Sequence, residues 1–315
     1  METISINNME LKNKKIAFLG YGSMIQGITR KLFDDEIIDK KNCIAVNLSG
    51  KSREKGVKFL TDHKEIDNSD IIFVGYKQKD LRAEEVHENM AGIIVISIIA
   101  GITEEELQSK FIGAKIVRAM PNRGSVVGKG CTFLKFSRDF TEEEKRTVES
   151  LFLASGNAYQ VDTTEKIDKG TIFSASMIGV AAFFRDKIHN TLNLSTENHA
   201  KSREFFIELE NIVTSLTDET NLVVGKAEEV IDQTFLAVEE LAKTREYSKI
   251  QANVTSPNGT THAMIENLKQ NNIDKILTDI FSENSLNTEK MENFARIIER
   301  SCTAGLIRAR ELAEE

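Results

Sequence analysis

Lys14–Gly27 reads KKIAFLGYGSMIQG, and this stretch decides the fold of the first half of the chain. Ile16, Ala17, Phe18 and Leu19 form a short apolar run that suits a strand buried on both faces. Gly20 and Gly22 follow at once, giving the tight turn and close backbone approach that glycine allows. A helical pattern starts near Ser23. Strand, glycine turn and helix together aim backbone N–H groups and a helix N-terminus at a pyrophosphate. A glycine pair alone also serves any tight strand-to-helix turn, so its place after the first strand carries the dinucleotide reading. The usual third glycine position holds Ile25, and Gly27 supplies smallness two residues later.

Working outward, Cys43–Leu48 reads as a second strand. Its tip selects the cofactor, because an Asp or Glu there bonds the ribose 2′-hydroxyl of NAD. Here Asn47 stands at that place, followed by Ser49, Gly50, Lys51, Ser52 and Arg53. Hydroxyls and a guanidinium suit a 2′-phosphate, which favours NADP over NAD. An ordinary solvated basic turn fits the same residues. Further strands are expected at Asp70–Tyr76, Ile93–Ile99, Lys115–Met120, Cys131–Lys135 and Ala158–Val161. Thr103-x-x-Glu106 and Thr141-x-x-Glu144 are capping boxes that mark helix starts. Alternating strands and helices imply a largely parallel, doubly wound sheet, with its ligand crevice at the carboxyl ends of the strands. The loops Gly20–Met24, Tyr76–Lys79 and Pro121–Gly124 are expected to converge there.

After about Asp162 strand patterns stop. Residues 1–162 read as the dinucleotide-binding domain and 163–315 as an all-helical one. Lys166–Leu192 is apolar through much of its length, the mark of a helix central in its domain or lying at a subunit interface. Phe205–Leu216, Leu222–Leu241, Thr261–Leu268 and Thr288–Leu312 are the other helix candidates. Within this half, Val254–Leu268 reads VTSPNGTTHAMIENL. Pro257-Asn258-Gly259 is a turn signal and Thr260-Thr261 opens a helix. Hydroxyls and free N–H groups at a helix start suit a carboxylate, and they equally suit a plain N-capped helix.

Composition bounds the rest. The 315 residues hold 41 basic and 49 acidic side chains, a net charge of -8 that disfavours non-specific nucleic-acid binding. Cys43, Cys131 and Cys302 are too few for a disulfide framework and fit a reducing cytosol, so a cytoplasmic protein is expected. The longest apolar stretch, Ile93–Ala100, is too short for a bilayer, and no membrane partner is expected. His63, His87, His189, His199 and His262 show no metal-ligand spacing, so no metal is expected.

Four segments together resemble the pyrroline-5-carboxylate reductase family: the glycine turn with Met24, Lys77, VRAMPN at Val117–Asn122, and VTSPNGTT at Val254–Thr261. That family's segments read GxGxM, a Val-Lys-Pro loop, RAMPNTPA and TSPGGTT. The resemblance runs in order from about Lys14 to the C-terminus. It implies a Rossmann domain followed by a helical dimerisation domain, in a homodimer or higher homo-oligomer. It implies hydride transfer from NAD(P)H to a cyclic imine carboxylate, yielding proline in the standard member. It places Gly20, Gly22, Ser23, Met24 and Lys77 on the cofactor, beside Asn47, Ser49, Ser52 and Arg53. It makes Thr261 the hydroxyl that serves the imine nitrogen, with Ser176 beside it. Backbone N–H groups at Gly259, Thr260 and Thr261 would hold the carboxylate, and Asn122 would line the pocket. Arg123 is particular to this chain and either pairs a second acidic group on the substrate or lies solvated on its loop.

Departures from the family are concentrated in the pocket. Gln78 replaces the proline after Lys77, and the MPN loop continues Arg123-Gly124-Ser125. The family's GSGPAY helix start reads Ala175-Ser176-Met177-Ile178-Gly179-Val180, and Asn258 takes the first glycine of the threonine loop. Besides proline synthesis, these changes leave open a different imine in secondary metabolism and a non-catalytic NADP-binding sensor or scaffold.

Overall fold

The computed structural model describes residues 11–47, 53–63, 65–191, 196–282 and 285–314. Ser49 and Ser52, expected beside the cofactor, lie outside the described residues. The chain divides into two compact units, Met1–Ile167 and Asp168–Glu315.

The first unit is built on one eight-stranded sheet in the order β3-β2-β1-β4-β5-β6-β7-β8. Its strands are β1 Ile16–Leu19, β2 Cys43–Val46, β3 Lys58–Leu60, β4 Ile71–Val74, β5 Ile94–Ser97, β6 Lys115–Pro121, β7 Gly130–Phe136 and β8 Gly156–Gln160. All neighbours pair parallel except β6 and β7, whose antiparallel register sets Pro121 against Thr132. Side-chain alternation along each strand divides the core into two. Ile16 and Phe18 join Ile28, Leu32, Phe73 and Phe152 on one face, while Ala17 and Leu19 join Val74, Leu81, Leu107 and Phe111 on the other. Both faces are covered, as a parallel sheet requires.

Helices α1 Ser23–Asp34, α2 Gln78–Arg82, α3 Glu104–Lys110 and α4 Glu142–Leu153 connect the strands. Both capping boxes form reciprocally: Thr103 with Glu106 and Thr141 with Glu144. The strand order reverses at β1, which has β2 on one side and β4 on the other. That switch point lies at Gly20 and Gly75, where crevices form in such sheets.

Helix α5 Thr164–Gly170 runs from the first unit into the second, where a wider π-type turn, Thr171–Ser176, leads into α6 Met177–Thr191. Then follow α7 Thr196–Glu219, α8 Ala227–Ala242, α9 Tyr247–Val254, α10 Thr260–Gln270, α11 Ile273–Phe281 and α12 Thr288–Glu314. Met177, Ile178, Val180, Ala181, Phe183 and Phe184 of α6 are all buried. They pack against α8, α9 and α10 of the same chain, so α6 is a central helix whose apolar surface is met internally. Edge-on and tilted aromatic contacts link Phe184, Phe205 and Phe294, with Phe205 and Phe294 at 5.0 Å.

The bilayer estimate needs a correction. Helix Thr164–Asn190 is long and apolar enough to cross a membrane by length and composition, with mean hydropathy 1.3 over its best window. Its apolar positions are interrupted by Gly170, Thr171, Ser174 and Ser176, so a reading by apolar runs does not register it. Of that window 83% is buried within the protein, which is how a core helix passes the same test.

Candidate functional site

At the switch point two glycines are demanded by the protein itself. Gly20 has φ +80°, and a Cβ there would stand 2.9 Å from Tyr76 Cδ1. A Cβ on Gly75 would meet Ile25 Cγ1 at 2.8 Å and the Gly20 carbonyl oxygen at 3.0 Å. Gly22 differs. It is the N-cap of α1 with ordinary extended geometry, φ -82° and ψ -179°, and beyond its chain neighbours none of the described residues has an atom within 4 Å of where its Cβ would be. Its helix start carries no side-chain cap and no acidic residue in the first turn. Open space before uncapped N–H groups at a positive helix end fits a dinucleotide pyrophosphate.

Gly27 has a separate task. A Cβ there would approach Val126 Cγ2 to 2.7 Å, so α1 can lie close on the turn Arg123–Val127 only with glycine at this position. This contact brings Arg123 to the cofactor end, where its Nη1 donates to Ser23 Oγ at 3.1 Å. Asn122 is buried, and its Oδ1 accepts from the backbone N–H of Gly124 at 3.0 Å and of Cys131 at 3.1 Å. That oxygen shapes its own loop. Met24 is half-buried on α1, Lys77 is the exposed N-cap of α2, and Gln78 ties its loop to the Ala100 carbonyl at 2.8 Å.

Asn47 follows β2, and its N–H donates to the Leu60 carbonyl of the β3 edge at 3.1 Å. It lines a cavity of about 440 Å³ with Thr61, Asp62, His63, Tyr76, Asp80, Glu84 and Glu85. Four of these are acidic, and Lys and Arg are absent from the described lining. Arg53 is exposed.

At its rim the fold assembles a group that linear spacing had concealed: His63, Glu84 and His87. Glu84 Oε1 contacts His63 Nδ1 and stands 3.3 Å from His87 Nε2. Burial alone would raise the Glu84 carboxyl, but hydrogen bonds to His87 and His63 outweigh it and hold Glu84 below its ordinary value. The bond to Glu84 raises His87 in turn, against the effect of burial. Glu84-x-x-His87 was the one local signal, and His63 joins only through the β3–β4 connection.

In the second unit the threonine loop is held from several sides. Asn258 has φ +59°, in the left-handed region that asparagine accepts after glycine most readily, so this departure from the family pattern keeps the turn. Arg308 Nε donates to the Asn258 carbonyl at 2.7 Å. Three hydroxyls then meet: Thr261 Oγ1 donates to Ser176 Oγ at 3.0 Å, and Thr260 Oγ1 lies 2.9 Å from the same oxygen. Ser176 and Thr261 are buried. Beside them Asn258, Gly259, His262, Ala263 and Arg308 line a cavity of about 300 Å³. The sequence-derived residues Ser176, Gly259, Thr260 and Thr261 therefore gather in one place.

Gly179 makes that gathering possible. A Cβ on it would stand 2.6 Å from Thr261 Cγ2 and 2.7 Å from Val254 Cγ2. Gly179→Ala is expected to destabilise the protein by about 1–3 kcal/mol through overpacking. A thermal melt unchanged within a degree would show that α6 can move aside.

The thiols are chemically quiet. All three cysteines are buried, and burial pushes Cys43 and Cys302 up to about 12.

Comparison with known proteins agrees with both units. Residues 15–101 match the family model described as NADP oxidoreductase coenzyme F420-dependent, and residues 205–291 match pyrroline-5-carboxylate reductase dimerisation. The pyrroline-5-carboxylate reductase 1 of Bacillus subtilis (strain 168) is 26% identical over 272 residues, covering 82% of each chain. That of Pasteurella multocida (strain Pm70), pyrroline-5-carboxylate reductase, is 27% identical over 304 residues, covering 90% of this chain and 99% of the relative. A solved pyrroline-5-carboxylate reductase from Coxiella burnetii shares the fold, with TM-score 0.53, 22% identity, and 96% and 99% coverage. The first unit is thus a Rossmann-type NADP-binding domain and the second carries a dimerisation domain that makes the protein a homo-oligomer. With these matches, the chain is similar to pyrroline-5-carboxylate reductases over most of its length, at 26–27% identity, and its first unit is that of an NADP-dependent oxidoreductase.

Proposed function

We propose that the protein reduces the C=N bond of a cyclic imine carboxylate, pyrroline-5-carboxylate to proline, as a cytosolic dimer. The observation that carries this reading is the hydroxyl cluster of buried Ser176 and Thr261 with Thr260, behind the Pro257-Asn258-Gly259 turn. Gly22 with the N–H groups of α1 would hold the cofactor pyrophosphate, with Ser23, Met24, Lys77 and Arg123 around it. NADPH supplies a hydride when bound.

The chain's own residues do the rest. The positive start of α10 and the N–H groups at Gly259–Thr261 hold a carboxylate. Thr261 shares a hydrogen bond with the ring nitrogen as it gains electron density, so the nitrogen keeps its proton as the amine forms. Ser176 accepts from Thr261 and thereby fixes where that hydroxyl sits. The bond from Arg123 to Ser23 at the start of α1 supports a role for Arg123 at the cofactor phosphates rather than at a second acidic group on the substrate.

The test is oxidation of NADPH and of NADH with pyrroline-5-carboxylate, analysed for proline. Turnover with NADPH, at least ten-fold better in kcat/KM than with NADH, is expected. No proline with either cofactor would overturn the assignment.

A further inference from the structure

We propose that His63, Glu84 and His87 form a binding site for a divalent transition-metal ion of the zinc class, on the first unit beside the tips of β2, β3 and β4. The site is separate from the hydroxyl cluster and does not rest on the proposed reaction.

The donor atoms suit such an ion. One imidazole nitrogen from each histidine and one Glu84 oxygen all lie within 4.8 Å of one another. A tetrahedral ion with bonds of about 2.0–2.2 Å sets its ligands about 3.3–3.6 Å apart. His87 Nε2 and Glu84 Oε1 are at 3.3 Å, and His63 Nδ1 contacts the same oxygen. Mixed imidazole and carboxylate donors select zinc and its neighbours over calcium or magnesium.

The outward nitrogens are also oriented. His87 Nδ1 lies 3.3 Å from Asp67 Oδ1, and His63 Nε2 lies 3.3 Å from the Tyr76 hydroxyl. A ligating histidine characteristically gives its other nitrogen to such a partner, which fixes its tautomer and ring plane.

The set is rigid on one side and open on the other. His87 is 8% exposed, its ring stacks on Phe111 at 5.2 Å, and its backbone pairs with Lys110 and Ile112. The Glu84 side chain is 6% exposed. His63 and Glu84 face the cavity of about 440 Å³, leaving a fourth position for water or a ligand. Asp62, Asp80 and Glu85 around that cavity add negative potential that draws a cation in. The buried cysteines offer no competing thiolate site.

The experiment titrates the full-length, chelator-stripped protein with Co²⁺, read by its visible absorption, and with Zn²⁺ by calorimetry and by thermal melting. One saturable equivalent at micromolar concentration is expected, with a raised Tm. His63→Ala and Glu84→Gln should each weaken binding at least ten-fold and abolish the rise in Tm. Asp67→Asn should weaken it about ten-fold, since it removes only the orienting partner. Circular dichroism confirms that each variant is folded. Absence of saturable binding, or equal binding by the His63→Ala/Glu84→Gln double variant, which keeps His189, His199 and His262, would overturn the site.

Discussion

Replacing Thr261 by Val or Ala is expected to lower turnover about a hundred-fold, with the fold and NADPH binding nearly unchanged. Removing one positioned hydrogen-bond partner from a transition state costs on the order of 10²–10³ in rate. The structural cost is smaller, because Thr261 does not cap its helix: its hydroxyl goes to Ser176. Loss of such a bond costs about 0.5–1.5 kcal/mol of stability. Val retains the methyl group that lies against Gly179, so Thr261→Val isolates the hydroxyl, whereas Thr261→Ala also leaves a small void. Thr261→Ser keeps the hydroxyl and should stay within a few-fold of wild type. Because Thr261 and Ser176 are bonded, Ser176→Ala and Thr261→Val should be non-additive in a double-mutant cycle. Turnover that survives Thr261→Val within about two-fold, worth only about 0.4 kcal/mol of barrier, would remove this residue from the mechanism.

Much of this was legible because the features are local. An apolar tetrapeptide before Gly20-Tyr21-Gly22 announces a buried strand and its turn, and the two Thr-x-x-Glu boxes close as written. The threonine signature likewise carries its turn chemistry within eight residues, and Asn258 preserves it by adopting positive φ. What stayed hidden depends on distance. Strand β3 is three residues long and partly exposed on a sheet edge, so Lys58–Leu60 shows no apolar run. Helices α9 and α11, of 8 and 9 residues, are too short to show a sustained helical period. Gly27 looked like a displaced third glycine of the turn, yet its smallness serves Val126, a residue about a hundred positions away. His63 meets Glu84 and His87 only because parallel strands carry their loops to the same edge of the sheet. Likewise Arg123 reaches Ser23 through the packing of α1 on the 123–127 turn, which no spacing rule contains.

Gly22→Asp is expected to abolish NADPH binding while leaving the fold intact, which separates the two glycines of the turn. Gly22 has φ -82° and ψ -179°, which any residue adopts, and its Cβ would enter open space. Aspartate is a better N-cap than glycine, so stability should be unchanged or rise by a few tenths of a kcal/mol. The same carboxylate would occupy the N–H groups a pyrophosphate needs and would repel its charge. An affinity loss of at least a hundred-fold follows, about 2.7 kcal/mol. Gly20→Ala is the contrasting case. Its φ of +80° and the Tyr76 ring at 2.9 Å make that substitution costly to the fold itself, so its melting temperature should fall before any cofactor is added. Calorimetric titration with NADPH and thermal melts on the two variants separate these effects. Were Gly22→Asp to bind NADPH within three-fold of wild type, the pyrophosphate would not sit on α1, and the positive helix end could not be the anchor of the cofactor.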